Sequence, residues 1–298
     1  MSRGVASSWS FHHLLLSIFS LFLSPIGNAH SLGPRNDEIA ARPDLTVPTL
    51  TTVRGILSNL EAPIISTLVQ RSALTTNPSL YQPSESSPLL HYIHTQELEA
   101  QKLHRFDYGR LEYPFTLPLI SPDHASRANP FPPGRFHQDT FSRNANLTAF
   151  YTTTLVPLLA SITTSTPFFY HLSNSTQNDV AALTLDAQLL ALMSHRAHIG
   201  KIVAESKFAA NVSGYTPLIY RRDASAIRTL LTNVTQEESV LTKAQAASRA
   251  LASAWVSAGA LVPSSFVASV QGAAVKVFRE LIDITTQIEV EYLLQRLD

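Results

Sequence analysis

Arg196 and Lys207 are the informative cations of the stretch Met193–Phe208, MSHRAHIGKIVAESKF. Read as one helix, eleven residues at about 100° each return them to nearly the same face, roughly 16 Å apart along the axis. Ile199, Gly200 and Val203 lie on the stripe between them, so the two cations share a face with an apolar floor. Long Arg and Lys side chains converging over such a floor suit a small, doubly negative ligand. Two solvated cations flanking a core seam would have the same spacing.

Glu289 stands in a row with Leu281, Thr285 and Leu293, each four residues from the next. A carboxyl in that row faces a partly buried space, and burial favours its protonated, donor-capable form, whereas a nearby Lys opposes this. A Glu at a helix edge is the other reading. Asn233 and Glu237 are four apart across a helix start. There Glu237 could equally serve the helix dipole and Asn233 the end of the preceding helix. Arg54 and Glu61 are seven apart and share a face, either as a solvated pair or as part of the same site. Together Arg54, Arg196, Lys207, Glu237, Glu289, Asn233 and Thr285 could bind an anion and stabilise developing charge, with no nucleophile–base pair for covalent catalysis. His195 with His198, and His91 with His94, have a spacing that can bind metal, but neither pair has a carboxylate in a ligand pattern, so no metal is expected. Serine hydrolase, phosphate-loop and dinucleotide-binding signatures are absent.

These residues need helices to position them. Residues 49–73 show apolar helical periodicity, with Pro63 expected to kink or interrupt it. Further helices are predicted over 87–106, 147–163 (interrupted by Pro157), 179–210 as one long central helix, and 223–231 behind an Asp223 N-cap. The capping box Thr235–Glu238 is expected to begin a helix to about Gly259, and Pro263-Ser-Ser to open a last helix of about 45 Å. Six prolines between 108 and 146 mark a long irregular connection (109–146), expected to wrap the surface. Strand signals are weak. The fold class read from this pattern is all-α, a single-domain multi-helix bundle over residues 49–298.

The chain has 298 residues, 45% of them hydrophobic, and 22 basic against 22 acidic side chains, so no overall field draws it to nucleic acid or an anionic membrane. Residues 1–29 read as a secretory signal peptide: Arg3, the apolar run Leu14–Leu23, then Gly27 and Ala29 before a cut at His30. Residues 30–48 read as a flexible leader, and no other segment reads as a membrane span. The expectation is a secreted protein. It lacks cysteine, hence disulfides and thiolate metal sites. Sequons stand at Asn146, Asn174, Asn211 and Asn233; the first three are glycosylation candidates, while a glycan on Asn233 would obstruct the site.

The chain resembles the all-helical chorismate mutases of fungi and plants. The likeness is carried by HRAHIGKIVAESKF, YTPLI, LLTNVTQEE and the terminal TTQIEVEYLLQRL, and by VRGILSNLEAPIISTLVQRSALTTNPSLY near the start, which includes Arg54, Glu61 and Arg71. It is thin between about 82 and 180. The resemblance implies an enzyme, an isomerase of the shikimate pathway, that needs no cofactor, converts chorismate to prephenate and forms a homodimer. It also implies roles. Arg54 and Arg196 would hold the two carboxylates, Lys207 and Glu289 the ether oxygen, Glu237 the ring hydroxyl, with Asn233 and Thr285 lining the pocket. Regulated fungal members sense aromatic amino acids through a Gly-Ser pair and two adjacent arginines; Asp179-Val180-Ala181 and His104-Arg105 stand here instead, so feedback control through Val180, Ala181, His104 and Arg105 is expected to be lost. A secreted copy resembles mutases exported by plant-associated organisms, which implies a host-directed virulence effector that draws chorismate away from salicylate-type defence compounds. A catalytically inactive helical effector that binds a host protein, and a mutase routed to an organelle, are the alternatives.

Overall fold

The computed structural model describes residues 48–82, 87–106, 111–119, 136, 139, 141–163, 176–260 and 262–297. The proposed signal peptide, nearly all of the leader, Asn174 and much of 109–146 lie outside the described residues. Ten α-helices run through the described part, with no strand among the described residues: α1 (Leu50–Ser72), α2 (Pro88–Lys102), α3 (Asn144–Phe150), α4 (Val156–Thr163), α5 (Thr176–His198), α6 (Gly200–Ala210), α7 (Val212–Tyr220), α8 (Ala224–Leu231), α9 (Val234–Ser257) and α10 (Phe266–Gln295). The all-α reading of the sequence holds.

The long helix α10 organises the rest. Its 30 residues carry buried side chains from Phe266 through Val270, Val277, Leu281, Ile284 and Ile288 to Leu293, a helical period that leaves two broad apolar faces. It packs against α9 and α5 towards one end and α6 and α8 towards the other. One core gathers Ile64, Leu68, Tyr151, Leu189, Phe266 and Phe278, and a second gathers Val53, Ile199, Val203, Tyr215, Ile227 and Tyr292. Deep in the structure, Asp186 accepts from Arg71 Nε, Tyr81 and Tyr151, each at 2.5 Å, with both members of the ion pair fully buried. Arg71 therefore belongs to the scaffold.

Several expected boundaries moved for physical reasons. Helix α1 stays continuous through Pro63, because the following Ile64, Ile65, Leu68 and Val69 are buried and tertiary packing outweighs one lost backbone bond. The break expected at Pro157 lies just upstream, as a π-turn over Tyr151–Leu155. Proline lacks a donor and displaces the carbonyl four residues back. The run Asn144–Thr163 is apolar and long enough to cross a membrane by length and composition, contrary to the expectation that no such segment follows the leader. Leu147, Tyr151, Leu155 and Leu159 are nevertheless fully buried, as core residues. The helix α7 was not foreseen at all, since Pro217 interrupts its pattern. Helix α9 begins at an Asn233 cap, two residues before the predicted Thr235, because the Asn233 side chain already accepts from Gln236 N at 3.0 Å.

The described parts of the 109–146 connection are not a surface wrap. Leu111, Phe136 and Asp139 are buried. Their backbone polarity is satisfied by side chains: Glu97 accepts from Thr116 N at 2.9 Å, and Asn144 Nδ2 donates to Tyr113 O and Pro114 O at 2.8 and 2.9 Å.

Candidate active site

The predicted central helix is two helices, α5 and α6, joined at Ile199. Ile199 keeps right-handed helical angles (φ −58°, ψ −19°), so only the hydrogen-bond ladder loosens: Ile202 N donates to Ile199 O at 2.9 Å alongside Val203 N at 3.1 Å. Gly200 follows at once. A Cβ there would lie 2.9 Å from Thr285 Cγ2 and 3.2 Å from Thr285 O, so only glycine lets α6 approach α10 this closely.

That approach brings the two catalytic candidates on α6 and α10 together. Lys207 Nζ donates to Glu289 Oε2 at 2.8 Å and to Leu231 O at 2.9 Å, which places the ammonium at the C-terminal end of α8. Glu289 is buried, and desolvation raises its pKa above the ordinary carboxylate value; Lys207 and Arg196 oppose the shift and Glu237 reinforces it. On α5, Arg196 is buried, donates through Nη1 to Thr285 Oγ1 at 3.1 Å, and has Glu61 at 3.8 Å from Nη2. Its Nε is buried and unpartnered among the described residues. Desolvation also lowers the Arg196 pKa and raises that of Glu61.

These groups line one cavity of about 540 Å³ between α1, α5, α6, α9 and α10. Arg54, Arg196, Lys207, Asn233, Glu237, Thr285 and Glu289 all reach it, so every site residue inferred from the sequence is brought to one place. Arg54 and Asn233 are exposed, Glu237 is half-buried, and Arg196, Thr285 and Glu289 are buried, which grades the cavity from an open rim to a buried floor. Asn233 spends its side-chain oxygen on capping α9.

The sequence reading missed Lys243, Gln236 and Tyr215, which also line the cavity. Lys243 lies two turns along α9 from Gln236, a spacing that could have flagged it. The glycosylation candidate Asn211 is on the wall too, with its Oδ1 capping α7 at Gly214 N (3.1 Å), whereas Asn146 is exposed on α3. The positions at which feedback control is expected to be lost do not line this cavity. Val180 is exposed near the start of α5, and Arg105 is paired with Glu112 at 2.6 Å. Among the described residues, no group of three or more His, Asp or Glu could hold a metal ion. His198 is buried, with its pKa pushed down to about 3 by desolvation; Nδ1 donates to Ser194 O at 2.8 Å and Nε2 accepts from Arg143 N at 3.1 Å.

No family model matches the chain. Individual proteins do. A chorismate mutase of Schizosaccharomyces pombe is 27% identical over 258 residues, spanning 83% of this chain and 96% of that protein. One from Trichoderma parareesei is 28% identical over 264 residues, 83% of this chain and 93% of its own. Among solved structures, the chloroplast chorismate mutase of Zea mays superposes with a TM-score of 0.62 at 24% identity, covering 84% of this chain and 97% of that one. The Candida albicans enzyme in complex with L-Trp gives 0.61 at 24%, covering 84% and 92%. The two structures establish a shared fold, and the sequence relatives span nearly their whole length. Over most of its length the chain is therefore similar to the chorismate mutases of eukaryotes, and it shares the all-helical fold of the solved ones.

Proposed function

We propose that the protein converts chorismate to prephenate in the cavity between α1, α5, α6, α9 and α10. The reaction is an intramolecular rearrangement in which one C–O bond breaks as one C–C bond forms. No proton, electron or group enters or leaves, so the chain has to orient the substrate and stabilise charge on the departing ether oxygen. Arg196 and Arg54 would hold the two carboxylates, and the buried Arg196 Nε is a donor that an anion in the cavity would satisfy. Lys207 and protonated Glu289 would donate to the ether oxygen as negative charge grows there. Glu237 would accept from the ring hydroxyl, with Asn233 and Thr285 on the walls.

The observation that carries this reading is the meeting of Arg196, Lys207 and Glu289, from three helices, on one cavity floor. The test is to incubate the purified protein with chorismate and identify the product. Prephenate from the native protein, and none above background from folded Arg196→Ala, supports the reading. Inactive native protein favours a helical binding protein instead.

The signal-peptide pattern over 1–29 supports secretion, and with it action on chorismate outside the producing cell, including the diversion of a host's chorismate from salicylate-type compounds. Processed protein in the culture medium is the expected result, and retention inside the cell would contradict it. Arg105 is engaged by Glu112 and no Gly-Ser pair precedes Ala181, which supports an enzyme whose rate ignores tryptophan and tyrosine. A homodimer is proposed by likeness to the family, and sedimentation of the purified protein measures it.

A further inference from the structure

The joint between α5 and α6 has two faces with different neighbours. Arg196, Gly200 and Lys207 face the cavity and α10. His195, His198 and Lys201, spaced three apart, face the connection that precedes α3. His195 Nδ1 bonds Leu111 O at 3.1 Å, and His198 accepts from Arg143 N. Lys201 is fully buried and is held most firmly. Its ammonium pairs with Asp139 Oδ1, donates to Phe141 O at 2.8 Å and to Tyr113 OH at 2.9 Å, and lies 4.0 Å and 4.3 Å from the ring centroids of Phe141 and Tyr113. Tyr113 in turn packs on His198, centroids 4.3 Å apart.

This is a costly device for mere stability. Burying an ammonium is unfavourable unless its geometry is well satisfied, and an apolar replacement often does as well. Asp139 Oδ2 is buried without a partner among the described residues, so the pair is not optimised for stability. What it does fix is direction. It ties three points of the connection to the residue that immediately follows Gly200, at the one place in the described α5–α6 pair where the helical ladder is loose.

Resting on the mutase reading above, we propose that Lys201 is a positioning residue: its anchor to Tyr113, Asp139 and Phe141 presses the α5–α6 joint towards α10 and so sets the reach of Lys207 and Glu289 relative to Arg196 and Arg54. Arg196 of the clamp lies on α5 before the joint, and Lys207 of the ether-oxygen donors lies on α6 after it. Displacing α6 therefore removes contacts made in the transition state and leaves the ground-state clamp in place, which lowers kcat with little change in KM.

Three variants test this. Lys201→Met with Asp139→Leu removes both charges together, so that neither is left buried and unpaired. Tyr113→Phe removes the hydrogen bond from Lys201 and keeps the ring. Lys201→Met alone gives the uncompensated case. Measured with chorismate, the double variant is expected to retain a native-like Tm with kcat reduced at least tenfold and KM within about threefold. Tyr113→Phe, which preserves packing, is expected to lose two- to fivefold in kcat alone. Native kcat in the folded double variant or in Tyr113→Phe, or a fall in Tm without a fall in kcat, would reduce the cluster to a structural staple and overturn the proposal. If the double variant does not fold, Tyr113→Phe decides. A native protein that turns over no chorismate would sink the mutase reading itself, an outcome separable from the first because it appears before any variant is made.

Discussion

Gly200 and Thr285 touch where a side chain would not fit: a Cβ on Gly200 would stand 2.9 Å from Thr285 Cγ2 and 3.5 Å from Glu289 Cγ. This contact brings α6 against α10 and so lets Lys207 reach Glu289. Gly200→Ala should therefore act on both stability and catalysis. The Thr285 carbonyl belongs to a buried helix and cannot swing aside, so the expected cost is about 1–3 kcal/mol of stability. A loss of tenfold or more in kcat is expected with it. Denaturant melting and initial rates measure the two, and an unchanged rate would show that the close approach is not needed.

The raised pKa of Glu289 has a sign that can be followed. In the proposed mechanism the protonated carboxyl donates to the ether oxygen, so kcat should be flat at acid pH and fall as pH rises through the elevated value. Because the folded pKa exceeds the unfolded one, folding stability from this group also declines over that interval, from the ordinary carboxyl value upward. In Glu289→Gln the amide donates at any pH, and the falling limb should vanish. A pH–kcat profile of Glu289→Gln that keeps the native decline would assign the titration to another group.

Asp186 offers the opposite kind of test, one of scaffold without chemistry. It lies ten residues before Arg196 on α5, about 15 Å along the axis, and accepts from Arg71, Tyr81 and Tyr151. Asp186→Ala strands a fully buried guanidinium and should cost about 3–5 kcal/mol in urea unfolding. The KM of the fraction that remains folded should be native.

Two sequons share the cavity wall, Asn211 and Asn233, and a third, Asn146, lies exposed on α3. Protein secreted from a glycosylating host should keep full turnover with a glycan on Asn146. Glycopeptide mapping of the active fraction should find Asn233 bare and Asn211 largely so. Full occupancy of Asn233 in active enzyme would contradict its place beside the substrate.

The sequence showed the site better than the joint that builds it. Arg196 and Lys207 were placed on one face by counting through a single helix, and the count survived the break because Ile199 keeps helical angles. Glu289 was legible because its row otherwise reads Leu, Thr, Leu. Lys201 was not, since in HIGKIV it looks like any solvated cation, and its partner Asp139 is 62 residues away in sequence. Glu61 was read only against Arg54, seven residues off, whereas in the fold it stands by Arg196, 3.8 Å away. Local pattern fixes which face a residue occupies, but which distant helix covers that face is decided by packing. Helix α7 was lost to the opposite error: Pro217 breaks the pattern, yet the buried Tyr215 and Ile219 hold the turn in place.

The most direct test of the central claim is the initial rate of chorismate disappearance, followed by absorbance, for the native protein beside Lys207→Ala. The account predicts turnover by the native chain and a loss of about 10²–10³-fold in kcat when the ammonium is removed from the ether-oxygen position. Equal rates from the two folded proteins would mean that chorismate rearranges elsewhere, and no rate from either would mean that this cavity does not carry out the reaction.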